Sequence, residues 1–502
     1  MSKIHIRNCK FFYNPIIISF LIVLPLLYIA NTPKKFFGMI LLSILLIIFS
    51  KINKILFSTF IFYLGILDFI LLHLKIHWGD PYLDIESKIS LAIDSPLSET
   101  TGYLKSYIGY SDILIAIYVL FIFLLLYFYI LKYKSEIPLF LKLLFICLAI
   151  SIYTLLYRHV PLDFINRYLK VLNDNTIFED RKEFLSLNKG KIINKKNTTM
   201  YDKIVIILGE SVNKNHMSLY GYKKVTTPFL DMLYKKNELY RFNIISGSNQ
   251  TKYSIPMILT PANVLNWRNN FINSRSIIND FKINNYLTYW ISNQSPLDRW
   301  VKTIAGEADI EYFTPETKTK KTDYSIIEYF NEHKAVQLKE LFVIHIMGSH
   351  FDYRDRIDSH YKQLIENPSN YVDYYDNTIY YTDKIIEDIY KYFKSIENKL
   401  LIIYISDHAE VIDKNKYGHG YLPTFKDEYE IPLVIYSSIY NPRIDELQRL
   451  NKKHYFNHEN MSSIINWITG INNDVNVSYS SSVFSLSPRN IRNYTKMEYF
   501  SK

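Results

Sequence analysis

Where three of the apolar runs in the second half of this chain stop, residues able to bind a metal or move a proton follow at once. KIVIIL at 203–208 leads into Gly209-Glu210-Ser211, LFVIHI at 341–346 into Met347-Gly348-Ser349-His350, and LIIYI at 401–405 into Ser406-Asp407-His408-Ala409-Glu410. Adjoining Asp407 and His408 offer the oxygen and nitrogen donors typical of Zn²⁺ sites. Gly418-His419-Gly420 adds a histidine whose glycine neighbours let backbone approach a ligand closely. A nucleophile is expected in Ser246-Gly247-Ser248-Asn249-Gln250-Thr251-Lys252-Tyr253-Ser254-Ile255-Pro256, small and polar and then apolar. Such a segment suits a loop entering a helix, whose first N–H groups attract anions such as phosphate. The Thr251 hydroxyl is inert unless its pKa is lowered, which a Zn²⁺ held by Glu210, Asp407 and His408 could do by binding the alkoxide. Each residue also has a plainer reading: a helix cap for Glu210 or Thr251, a surface hydrogen bond for Asp407-His408, a core position for His345. Their joint occurrence at three successive strand ends favours a site.

The elements that must position these residues are legible. Runs at 203–208, 288–291, 341–345, 401–405 and 433–436 read as strands buried on both faces, and 371–393 reads as an amphipathic helix. Buried strands separated by helices imply a mostly parallel sheet covered on both sides, with its chemistry just beyond the carboxyl ends of the strands. The predicted fold class is a multi-span α-helical membrane domain plus an α/β/α soluble domain with a mostly parallel sheet.

The membrane part is expected over residues 1–158, with five apolar runs at 15–30, 36–49, 55–74, 113–131 and 137–156. Lys3, Arg7, Lys10, Lys51, Lys54, Lys132 and Lys134 flank the ends that should face the cytoplasm. The acidic segment with Asp80, Asp84, Glu86, Asp94 and Glu99 should lie outside, so an odd number of spans exports everything after Arg158. Residues 159–200 read as a connector, amphipathic at 163–172 and Lys/Asn-rich at 188–197, and 201–502 as the exported catalytic domain. Lys and Arg outnumber Asp and Glu by 14 to 8 through His159 but only by 44 to 40 afterwards. A folded domain so nearly neutral excludes a nucleic-acid partner. Of the two cysteines, Cys9 falls in the leader and Cys147 in a span, so no disulfide is expected.

Gly209-Glu210-Ser211, His216-Met217-Ser218-Leu219-Tyr220-Gly221-Tyr222 and Thr226-Thr227-Pro228 resemble the bacterial phosphoethanolamine transferases of the sulfatase/alkaline-phosphatase superfamily. Ser292-Asn293-Gln294, His345 through His350, Tyr375-Asp376-Asn377, Ser406-Asp407-His408 and His419-Gly420 extend the likeness in the same order, and the five-span anchor fits as well. The resemblance implies a multi-pass enzyme of the Gram-negative inner membrane with its sulfatase-like domain in the periplasm. It places zinc on Glu210, Thr251, Asp407 and His408. Thr251 is the implied nucleophile, His350 and His419 handle the phosphoryl group and protons, and His345, Asn293 and Gln294 bind substrate. The implied donor is phosphatidylethanolamine and the acceptor lipopolysaccharide, by way of a phosphoethanolamine-threonine intermediate.

Two departures from the family pattern stand out, of which the first alters only loop geometry and the second bears on the acceptor. Ala409 stands where the family usually has glycine, and the periplasmic part lacks the disulfides of the lipid A-modifying branch. Both the missing cysteines and the Ser218-Leu219-Tyr220-Gly221-Tyr222 string lean toward the branch acting on core oligosaccharide, with a heptose expected. Ser254-Ile255-Pro256-Met257-Ile258 lacks the arginine of the motif that sulfatases convert to formylglycine. A phosphoglycerol transferase of the same architecture, and an inactive membrane scaffold or glycan-export component, are the rival readings.

Overall fold

The computed structural model describes residues 14–29, scattered positions within 43–72, and 109–132, 176–188, 199–314, 322–334, 338–396, 399–413, 417–421, 423–475 and 477–500. The chain divides into two compact units, Met1–Ser90 with Tyr103–Asn173, and Leu91–Gly102 with Asp174–Lys502.

In the first unit the helices Pro15–Ile29 and Tyr110–Lys132 pack on each other, and the Tyr118 hydroxyl donates to the Leu21 carbonyl at 2.6 Å. Among the described residues one helix, Tyr110–Tyr129, is long and apolar enough to cross a bilayer. Ile113, Leu114, Ile117, Leu120, Phe121 and Leu124 stand exposed on it, a surface that suits hydrocarbon rather than water. The expected fifth run at 137–156, the amphipathic stretch 163–172 and the flanking charges Lys3, Arg7, Lys10, Lys51, Lys54 and Lys134 lie outside the described residues.

The second unit is built on one eight-stranded sheet. Its strands are β1 (Lys203–Gly209), β2 (Leu239–Ile245), β3 (Leu287–Ser292), β4 (Ile310–Phe313), β5 (Glu340–His345) and β6 (Leu400–Ser406). Two short strands, β7 (Val411–Ile412) and β8 (Tyr417–Gly418), pair apart from it, and β9 (Glu430–Ser437) and β10 (Phe456–Asn457) complete it. The order is β10-β2-β9-β6-β1-β5-β3-β4, and β9 alone runs against the other strands. All five expected strands are present, but the run at 433–436 belongs to the reversed strand, and β2, β4 and β10 were not expected.

Side-chain alternation sorts the sheet into two cores. Ile204, Ile206, Leu208, Leu401 and Ile403 face one layer, and Val205, Ile207, Ile402 and Tyr404 the other. The helix Tyr371–Ile396 covers the second face through Tyr375, Ile379, Ile386 and Phe393. With both faces covered, polar groups have room only at the strand ends.

The helix Thr176–Asn188, within the expected connector, belongs to this unit. Its Arg181 is fully buried, paired with Glu307 at 2.7 Å, and bonded to the carbonyls of Phe271 and Ser274. Removing one partner of such a pair strands the other charge in the interior. Arg181→Ala is therefore expected to lower stability by about 3–5 kcal/mol, more than Arg181→Ala/Glu307→Ala adds on top of it, in a denaturant double-mutant cycle.

Candidate active site and metal centre

Strand register brings the key residues together. Gly209 pairs with Ser406, and Leu208 with both Ile405 and His345, so β1, β5 and β6 end level. The next residue of β1 is Glu210 and the next of β6 is Asp407, whose N–H donates to the Gly209 carbonyl at 3.1 Å. Ser211 then turns into the left-handed region at φ 61°, a conformation costly for a side-chain-bearing residue and common where strain serves a site. The turn directs its N–H to Asp407 Oδ1 (3.1 Å) and its hydroxyl to Glu210 Oε1 (2.7 Å). The Tyr375 hydroxyl holds the turn, donating to the Ser211 carbonyl at 2.7 Å and accepting from the Asn213 N–H at 2.8 Å.

From β2 the chain passes through Ser246, which donates to the Asp407 carbonyl at 2.8 Å, into the buried helix Thr251–Leu259. Thr251 is its first residue. Its Oγ1 lies 3.2 Å from Glu210 Oε2 and 3.2 Å from His408 Nε2. His408 Nε2 is 3.4 Å from Glu210 Oε1 and 3.4 Å from Asp407 Oδ2. Ligand atoms of Glu210, Asp407 and His408 all lie within 4.8 Å of one another, and all three residues are buried.

Proton bookkeeping shows what this cluster lacks. His408 Nδ1 faces the Ala409 carbonyl at 3.2 Å; a carbonyl only accepts, so Nδ1 carries the proton and Nε2 presents a lone pair. Asp407 Oδ2 is buried with no hydrogen-bond partner. Two carboxylates and an imidazole lone pair thus converge around the Thr251 hydroxyl. Burial raises Asp407 well above the usual carboxylate range, and the neighbouring Glu210 charge raises it further. Burial would raise Glu210 too, but His408, His350 and hydrogen bonds from Ser211 and Gln294 outweigh it and hold this carboxylate below its usual range. Burial also keeps His408 neutral by lowering its pKa. A divalent cation is the species that such a donor set fits.

The remaining expected residues divide. Gln294 joins the cluster, its amide bridging Glu210 Oε2 (3.0 Å) and the Ile346 carbonyl (2.9 Å). The His419 ring packs 4.0 Å from that of His408, and its Nδ1 donates to the Asn249 carbonyl at 2.9 Å, leaving Nε2 as a lone pair. Burial, with His408 beside it, pushes His419 down to about 3. His350 likewise directs Nδ1 at a carbonyl, that of Phe351. Asn293 makes no hydrogen bond to the cluster: it donates to Asp323, which accepts from the Met347 and Gly348 N–H groups and so holds the loop after β5. His345 is wholly buried beside Trp290, with no partner on either ring nitrogen, and burial lowers it to about 4.

Gly348 shows how tightly that loop is set. It sits at φ +49°, and a Cβ there would lie 3.0 Å from both the Glu210 N and O. Supporting residues without a sequence signal include Asp323 and Glu428. The latter accepts from Asn249, Thr424 and the Gly420, Tyr421 and Phe425 N–H groups, and so anchors the His419 loop.

Residues 202–471 match the sulfatase family. Phosphoethanolamine transferase EptC of Escherichia coli strain K12 is 27% identical over 300 residues, 55% of this chain and 50% of that protein. Phosphoethanolamine transferase EptA of Helicobacter pylori is 26% identical over 258 residues, 47% of each. The chain thus spans about half the length of the curated relatives it matches. Among solved structures, the integral membrane protein lipooligosaccharide phosphoethanolamine transferase A (EptA) of Neisseria meningitidis aligns at TM-score 0.57 and 16% identity, over 96% of this chain and 97% of that one. The C-terminal periplasmic domain of EptC from Escherichia coli aligns at 0.50 and 21%, over 62% and 97%. These likenesses establish the fold, a multi-span membrane domain followed by an alkaline-phosphatase-like soluble domain.

Proposed function

Because the chain belongs to the sulfatase family, we propose that it is a zinc-dependent phosphoethanolamine transferase of the Gram-negative inner membrane, with its catalytic domain in the periplasm. It moves phosphoethanolamine from phosphatidylethanolamine to lipopolysaccharide, the acceptor being a core heptose. The observation that carries the reading is the Thr251 hydroxyl, at a helix N-terminus and 3.2 Å from both Glu210 and His408. The matched relatives bear the name phosphoethanolamine transferase, which supports the choice of group transferred.

Glu210, Thr251, Asp407 and His408 would hold the zinc, which supplies Lewis-acid polarisation and a lowered pKa for a hydroxyl beside it. Thr251 Oγ1 gives its proton to His419 Nε2 and attacks the donor phosphorus. The bond from phosphorus to the diacylglycerol oxygen breaks, and that oxygen leaves with a proton delivered by His350. The helix N–H groups behind Thr251 stabilise the phosphoryl charge. In the second half the acceptor hydroxyl gives its proton to His350, reset for this by the first half, and attacks the same phosphorus; the bond from phosphorus to Thr251 Oγ1 breaks and His419 Nε2 returns the proton to that oxygen. The low pKa of His419 keeps that nitrogen unprotonated and able to accept.

Both lipids reside in a membrane, so an anchored enzyme meets them without either leaving its leaflet. Lipopolysaccharide from a strain lacking this gene is expected to lose one phosphoethanolamine, about 123 Da, from its core fragment by mass spectrometry. Loss from the lipid A fragment would reassign the acceptor, and no loss from either would remove the reading.

A further inference from the structure

Beside the reacting centre lies a feature that phosphoryl chemistry does not use. Phe351 follows His350 directly, and Tyr417 stands two residues before His419, so the loops carrying the two proton-handling histidines each contribute an aromatic ring. Tyr417 stacks on Phe351 (centroids 5.1 Å, 12° between planes) and on Tyr371 at the start of the helix Tyr371–Ile396 (3.9 Å, 27°). All three rings are half-buried rather than enclosed. Asp352 and Arg354 stand next to them: the Arg354 Nε donates to both Asp352 carboxylate oxygens, at 2.9 and 3.1 Å. The guanidinium is 48% exposed and lies within electrostatic reach of Tyr371, Tyr374 and Tyr417.

We propose that Phe351, Tyr371 and Tyr417 form a platform on which a sugar ring of an anionic glycan acceptor stacks, with Asp352 and Arg354 binding its hydroxyl and anionic substituents. The inference rests on the transferase reading above and names the class of acceptor for that site. The parts of the half-buried rings that their mutual stacking leaves uncovered offer a rigid, apolar contact to the C–H face of a pyranose, and a paired carboxylate and guanidinium beside them match ring hydroxyls. The other small moiety at the site is the ethanolamine ammonium of the donor. An aromatic face attracts ammonium as well, but the Asp352–Arg354 pair leaves no net negative charge beside these rings to hold a cation, while its remaining N–H groups and carboxylate lone pairs suit hydroxyls and their polar substituents. Placement is also apt: Phe351 directly follows His350 and Tyr417 stands two residues before His419, so two of the three rings are carried on the loops of the site.

The two halves of the reaction separate this subsite from the site itself. In the full-length protein in detergent, Tyr371→Ala and Tyr417→Ala are expected to leave the rate of diacylglycerol release from phosphatidylethanolamine unchanged within about twofold. The same variants should weaken binding of lipid-free core oligosaccharide to the protein by about 10-fold or more, with Tyr371→Phe restoring it. Arg354→Gln should weaken binding of phosphorylated core more than of dephosphorylated core. Unchanged oligosaccharide binding in both alanine variants overturns the platform. So does a fall in donor cleavage that matches the fall in oligosaccharide binding, since the rings would then serve the donor or the loop fold. Absence of diacylglycerol release from the wild-type protein overturns the transferase reading instead, while the binding comparison still decides the platform.

Discussion

Thr251→Ala is expected to reduce phosphoethanolamine transfer by about 10⁴-fold or more, with the melting temperature changed by no more than about 2 °C. The two halves of that expectation have separate causes. In the proposed reaction Thr251 supplies the atom that bonds to phosphorus, and no other hydroxyl stands 3.2 Å from both Glu210 and His408 among the described residues. Ser211 and Ser246 lie close in the fold, but their hydroxyls are committed to Glu210 and to the Ser248 and Asp407 carbonyls. The helix itself is held by Tyr253 and Ile255 through Leu259, all buried, so loss of one methyl and one hydroxyl at its first residue leaves its packing intact. Thr251→Ser keeps the hydroxyl and is expected to retain measurable transfer, which a purely structural role for the residue would not require. Intact-protein mass spectrometry after incubation with donor alone should show a covalent adduct in the wild type and none in Thr251→Ala. Transfer by the alanine variant at the wild-type rate would assign the nucleophile elsewhere.

Much of this geometry was legible in the chain because it depends on residues that directly follow uniformly apolar strands. KIVIIL and LIIYI can be little but central strands, and their register alone makes Glu210 and Asp407 neighbours. What escaped was set by tertiary context. β2, LYRFNII, places Arg241 and Asn243 between apolar residues, so it lacks the unbroken run that marks a strand covered on both faces. β9 reads like its neighbours, and nothing in EIPLVIYS reveals that it runs the other way. Direction is a property of the connection, and among the described residues between β6 and β9 there is no long helix of the kind that makes a parallel crossover. Asp323 and Glu428 were equally hidden: Asp323 ends a run of Lys and Thr, Glu428 stands between Asp427 and Glu430, and neither setting reveals the loop N–H groups that fold onto it. His458 is the reverse case, a buried histidine behind Gly247 with no partner on either ring nitrogen, for which the sequence gives no cue and the proposed reaction no part.

Removing the metal should expose the cost of assembling the cluster, and that cost should depend on pH in one direction. In the metal-free domain burial and the Glu210 charge raise Asp407 well above the ordinary carboxylate value, so in the window between its unfolded and its folded pKa it holds a proton that the unfolded chain does not. A raised folded-state pKa on an acid means that stability is lost as pH climbs from the unfolded value toward the folded one. Glu210 is displaced downward, so its contribution is already complete above the ordinary carboxylate range and is lost only in stronger acid. His408 is neutral with or without a metal above its lowered pKa, and it therefore cancels from the comparison. The net difference between loaded and metal-free protein is the Asp407 proton, so within that window zinc binding should release up to one proton and strengthen by up to about 1.4 kcal/mol per pH unit as pH rises. Differential scanning calorimetry of the full chain, with and without chelator, should therefore show a melting-temperature gap on the order of 10 °C at pH 7.5 that narrows steadily toward pH 5. Titration calorimetry in buffers of different ionisation enthalpy counts the released proton directly. In Asp407→Asn both the pH dependence of the gap and the proton release should vanish together with most of the affinity, because the amide has no proton to give up and no charge to offer. A gap that is flat with pH, or that widens toward acid, would contradict the placement of Asp407 among the metal ligands.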